Sequence, residues 1–312
     1  MTVSTHPLAG AAVPGRRDAS RRPEAHGMLL GLVGVAMFSL TLPFTRMAVA
    51  ELDPQIVTFG RASGAALLAG LWLLWRRAPR PPRSALPALA LVALGCIVGF
   101  PLLTSVALRS LPAAHGAVLV GVLPLATALC AAMRGDERPS AGFWLMAVLG
   151  AALVAIFALR QGGGAFHSAD LLVFGAAVAA AVGYAEGARV ARTLGGSETI
   201  CWALLLAAPV MAPLLAWNVL PQFGALARVG APAWIALAYL TMFSMFIGFF
   251  FWYRGLALGG VARVGQVQLL QPFLSLAGAA LLLGEPLNID HCLFALAVIG
   301  VVAAGRHMGV RR

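Results

Sequence analysis

Runs of about 20 apolar residues recur along most of the chain, and polar residues and helix breakers are concentrated in the stretches between them. A hydrocarbon core of about 30 Å is crossed by roughly 20 residues of α-helix. The pattern therefore predicts an all-α membrane protein with ten transmembrane helices, near 28–48, 55–75, 86–108, 113–133, 141–160, 171–191, 200–220, 233–253, 261–283 and 289–305. Breakers mark the cuts: Asp53-Pro54, Pro79 to Pro82, Leu111-Pro112, Gly162 to Gly164, Gly195-Gly196, Pro232, Gly259-Gly260 and Gly284-Glu285-Pro286. Residues 1–27 are polar and read as a disordered cytoplasmic tail. Ala48-Val49-Ala50 imitates a signal-peptidase site, but the apolar run before it exceeds a signal h-region and Arg46 intervenes.

Charge adds direction to these spans. With the N-terminus inside, seventeen of the 22 arginines fall on the cytoplasmic side, and Arg46, Arg109, Arg160 and Arg228 fall outside. A miscount by one helix would scramble that asymmetry, so ten spans and two cytoplasmic termini support each other. The expected location is the inner (plasma) membrane. Composition agrees: 61% of residues are hydrophobic and 11% charged, far from a soluble balance. The net charge of +11 is scattered singly between apolar runs rather than gathered on one face, so nucleic acid is not an expected partner. There is no lysine, which excludes P-loop and Schiff-base chemistry. Cys96, Cys130, Cys201 and Cys292 lie singly in apolar stretches and form no disulfide framework or CxxC metal site. No cofactor is expected, and no oligomeric state is implied.

The halves resemble each other. At an offset of 148, Pro124 falls on Pro272, Glu137 on Glu285 and Ser140 on Asn288. A mid-helix proline bends its helix and frees a backbone carbonyl inside the bundle. Glu137 and Glu285 are expected at the positive N-terminal dipole of the helix that follows each, with Ser140 and Asn288 as caps. The division is a first repeat over 28–160, a periplasmic linker over 161–170, a second repeat over 171–305 and a tail over 306–312. Five helices is an odd number, so the second half inserts upside down, and inverted repeats belong to transporters that rock about a central site.

These features carry a family resemblance. The stretch from Ala107-Leu108 through Pro124 to Gly135-Asp136-Glu137, and its echo through Pro272 to Leu283-Gly284-Glu285, resemble the EamA-type domain of the drug/metabolite transporter superfamily. The resemblance implies a ten-helix bundle with a central cavity that exports amino-acid-like metabolites or drugs. Where such chains often have lysine late in the first helix, this one has Arg46.

Polar side chains within the spans are the candidate site, because hydrocarbon solvates them poorly. Arg61 lies about two turns, roughly 10 Å, into the second helix. It reads as an anchor for a substrate carboxylate or phosphate, as the structural partner of an acid such as Glu51, or as a side chain snorkelled toward the interface. Gln266, Gln268 and Gln271 suit a cavity wall or, alternatively, hydrogen-bond one helix to another, with Thr41, Tyr184 and His115 as lesser candidates; a lone helix-start histidine such as His115 is more often interfacial. Glu186 pairs at helical spacing with Arg189 or, in the sharper reading, titrates to couple protons to transport. Gly60/Gly64, Gly95/Gly99, Gly183/Gly187 and Gly255/Gly259 allow close helix approach, and Trp72, Trp75, Trp252 and Tyr253 read as interfacial anchors.

Transport of a small molecule across the bilayer is the function expected. A membrane-embedded lipid-modifying enzyme is the rival, but the eleven acids are dispersed and neither HExxH nor GxSxG occurs; His167 and Asp170 read as loop and cap residues. A non-transporting membrane subunit is the third reading.

Overall fold

The computed structural model describes residues 16–133, 140–161, 167–259 and 264–307, and all regular structure among them is helical. Among the described residues, helical backbone is found in each of the ten predicted segments. They are α1 (Arg16–Ser39, resuming as Thr41–Val49), α2 (Pro54–Arg76), α3 (Arg83–Ala107), α4 (Ala113–Met133) and α5 (Ala141–Gln161). The second set is α6 (Ser168–Leu194), α7 (Gly196–Leu226), α8 (Ala231–Gly259), α9 (Val267–Leu283) and α10 (Ile289–His307). Among the described residues seven of these, α1–α4 and α6–α8, are long and apolar enough to cross a bilayer, and α9 and Ile289–Val301 of α10 are shorter apolar helices. The chain is an all-helical membrane protein.

The polar tail is shorter than the sequence suggests. Helix α1 begins at Arg16, because arginine, alanine and glutamate in 16–27 are good helix formers and extend a helix already nucleated in the apolar run. Residues 1–15 and Glu137 lie outside the described residues.

The helices pack chiefly across the two halves. Helix α1 lies against α8, α3 against α6, α2 against α7, α4 against α9 and α5 against α10. Polar contacts gather many helix ends at one end of the bundle. Arg46 donates to the carbonyls of Leu108 and Arg109 at the end of α3, a cation on a helix C-terminus. Glu51 accepts from the Gly230 backbone N–H at 2.6 Å, and Arg160 meets Asp290 at 3.5 Å. Glu285 accepts from the backbone N–H groups of Ala113 and Ala114 at 2.9 and 2.8 Å. At the opposite end, a Cβ added to Gly27 would meet Gly259, and one added to Gly196 would meet Arg254. The start of α4 thus meets the end of α9, and the end of α5 meets the start of α10, so both pairs run antiparallel.

Glu285 corrects an expectation. It does cap a helix N-terminus, but that of α4 in the other half rather than α10 just after it. Pro112 has no side-chain donor or acceptor to offer as N-cap of α4, so its first N–H groups need an acceptor from elsewhere. His115, expected at the interface, is buried and bonds Asp170 at 2.8 Å, while Asp170 also accepts from the His167 N–H as a helix-start cap. Trp252 and Tyr253 are fully buried rather than interfacial, because glycines open room for them: Gly31 and Gly34 face Trp252, and Gly187 faces Tyr253. Trp75 is exposed, as an anchor requires.

Candidate functional site

Three interruptions of regular helix surround the centre of the bundle. Helix α1 breaks at Leu40, where Pro43 cannot donate to the carbonyl of Ser39; the Ser275 hydroxyl of α9 takes that carbonyl at 2.6 Å. Helices α3 and α8 each contain a π-helical stretch, Ala93–Gly99 and Leu240–Ile247, closed by N–H bonds from Phe100 to Gly95 and from Gly248 to Phe243. These stretches coincide at the same offset of 148 that superimposes the prolines.

The matched prolines also differ in detail from expectation. Pro124 is the second residue of the α-helical piece Leu123–Met133, after a turn that interrupts α4. Pro272 holds the corresponding place in Gln271–Leu283, after a tighter 3-10 stretch over Gly265–Leu270. Proline suits a first turn, where its missing N–H has no partner to serve. The carbonyl expected to be free before Pro272, that of Gln268, instead accepts from the Gln271 N–H as the backbone tightens.

Between these interruptions lies a small cavity. Arg61, Thr41 and Ser244 form its polar wall, with Tyr184, Cys96 and Gln271 beside them and Phe38, Phe100 and Phe249 as apolar lining. Arg61 is 2% exposed and donates through Nη2 to the Ser244 hydroxyl at 2.8 Å; that hydroxyl also shares a 2.8 Å hydrogen bond with Thr41. Its Nε and Nη1 have no partner, and among the described residues no carboxylate lies within ion-pair distance. The Glu51 pairing is thereby overturned: Glu51 is held by Gly230 at the end of the bundle. The rings of Phe38, Tyr184 and Phe249 pack on one another, with centroids 4.9 to 6.3 Å apart.

A second cavity adjoins the first at Gln271, which lines both. Its walls include Pro124, Pro272, Val120, Ser275 and Gln268, so the matched prolines and an amide meet there. Gln268 is 1% exposed, and neither its Oε1 nor its Nε2 has a partner. The first cavity measures about 20 Å³ and the second about 10 Å³, room for little more than water molecules.

The structure therefore brings Thr41, Arg61, Tyr184, Gln268 and Gln271 together. Glu186 stands apart: it is buried near the end of α6 and accepts from Arg189 Nη2 at 2.7 Å. Sequence reasoning missed Ser244, Cys96, Phe38, Phe100 and Phe249. Ser244 and Cys96 had one usable signal, since they are each other's counterparts at 148 residues.

A polytopic helical bundle with a buried polar centre between two packed sets of helices defines a membrane carrier. The chain belongs to the EamA-like transporter family, whose model matches residues 25–159 and again 167–304. It is 46% identical over 281 residues to the uncharacterized transporter YdeK of Bacillus subtilis (strain 168), covering 90% of this chain and 97% of that one. A solved chain described as "Crystal structure of protein" is similar in fold, with a TM-score of 0.63 at 20% identity over 90% of this chain and 96% of the other. Family membership makes the protein a membrane transporter and not an enzyme.

Proposed function

We propose that this transporter works by alternating access in the inner (plasma) membrane and exports a small carboxylate-bearing metabolite of amino-acid size, or a drug of that size. In this reading it crosses the bilayer ten times as two five-helix repeats of opposite insertion, with both termini cytoplasmic. Support comes from the counterpart helices α4/α9 and α5/α10, which pack antiparallel, and from the arginine-poor end where Arg46, Glu51, Arg160 and Glu285 make their contacts.

One observation carries the substrate assignment. The Arg61 guanidinium is buried at the centre of the bundle with two of its three nitrogens unpartnered and, among the described residues, no acid within ion-pair distance. An isolated buried charge is costly, and a guanidinium is shaped to grip a carboxylate through paired N–H donors. The substrate's own anionic group is the natural partner. Flux of labelled carboxylates into liposomes containing the purified protein tests this. Wild-type flux that disappears in Arg61→Ala supports it; flux indifferent to Arg61, or absent altogether, removes its basis.

A further inference from the structure

The two adjoining cavities narrow the substrate class further, on the reading that they form the transport site. At one end stand the open donors of Arg61, and at the other the amide of Gln268 with both polar atoms unpartnered; Gln271 joins the two. Among the described residues no aspartate or glutamate lines either cavity, and Arg61 is the one formally charged side chain on their walls. Phe38, Phe100 and Phe249 supply apolar surface in the cavity that holds Arg61.

Charge balance then selects among ligands. A monoanion brings this low-dielectric site to zero net charge. A zwitterion neutralises Arg61 through its carboxylate but leaves an ammonium buried without a counter-ion. A phosphate ester carries close to two negative charges and overshoots. A neutral hydroxyl or amide, by contrast, satisfies both the donor and the acceptor of the Gln268 side chain.

We infer that the protein recognises organic monoanions: a carboxylate held by Arg61, a hydrophobic or aromatic body among the phenylalanines, and an uncharged hydrogen-bonding group at Gln268. A free zwitterionic amino acid is a poor fit.

Three ligands with one carbon skeleton test this on the full-length protein: 3-phenylpropanoate, 3-phenyllactate and phenylalanine, which differ only in carrying H, OH or NH3+ next to the carboxylate. Calorimetric titration of wild-type protein is expected to rank phenyllactate tightest and phenylalanine at least about tenfold weaker. Gln268→Leu is expected to erase the advantage of phenyllactate over phenylpropanoate, and Arg61→Gln to weaken both more than tenfold. If phenylalanine binds as tightly as phenyllactate while both still need Arg61, the monoanion inference fails and the transport site stands. If none binds, or binding ignores Arg61, the site itself is misassigned. The wild-type ranking needs no variant, so poor folding of a mutant cannot mask the answer.

Discussion

Cys96 and Ser244 stand 148 residues apart and occupy matching places, each on the π-helical stretch of its half and each on the wall of the central cavity. Ser244 is the more consequential of the two, because it is the residue to which Arg61 donates. A hydrogen bond to a charged group contributes about 1.5–3 kcal/mol. Ser244→Ala is therefore expected to raise the apparent KM for transport about tenfold or more, with the protein still folded. Counterflow in proteoliposomes reads this directly, and an unchanged KM would show that Ser244 does not orient Arg61.

Glu285 joins the halves by capping α4 from the loop after α9. Losing such a cap costs about 0.5–2 kcal/mol, and the negative charge adds to it at a helix N-terminus. Glu285→Ala should lower the thermal midpoint of the detergent-solubilised protein, and Glu285→Gln, which keeps one acceptor oxygen, should fall between. Equal midpoints for all three would mean that the contact adds no stability.

Close approach of α3 and α6 depends on Gly183, where an added Cβ would lie far inside contact distance of the Cys96 sulfur. Gly183→Ala should destabilise by about 1–3 kcal/mol through overpacking. Cys96→Ala removes the offending sulfur, so the double variant should recover much of the loss. Additive losses in the double variant would locate the strain elsewhere.

The spans were legible because a bilayer imposes their length, and Arg61 because a charge in hydrocarbon is conspicuous. The rest of the cavity was not. Phe38, Phe100 and Phe249 sit in helices apolar all round, where hydropathy has no contrast to separate a cavity face from a lipid face. Glu285 was recognised as a capping acid, yet local spacing pointed to the next helix and its partners lie 171 and 172 residues away. His115 and Asp170 looked like separate end residues, since nothing in 55 residues of intervening sequence announces that they bond. The fully buried Trp252 was mistaken for an anchor because its nearness to a predicted helix end was visible and the glycines opposite it were not.

Glu186 is held by Arg189 at 2.7 Å, three residues along the same helix, and is not among the residues that line the central cavity. Glu186→Gln should therefore leave the pH dependence of transport unchanged, while lowering stability modestly. A flattened pH profile in that variant would instead assign Glu186 the proton-coupling role.

Both chain ends should be reached from the same side of the membrane. Reporter fusions at residues 1 and 312 are expected to signal the cytoplasm together, and a fusion near Gly230 the opposite side. Discordant termini would reverse the second half and with it the inverted arrangement.

The antiparallel packing of counterpart helices gives the number 148 a mechanical meaning. If one half rocks against the other, a position guarding the inner mouth has its twin guarding the outer mouth, 148 residues along. Alleles that jam the carrier open should accordingly arise as mirrored couples, one trapping it toward the cytosol and its twin trapping it toward the exterior.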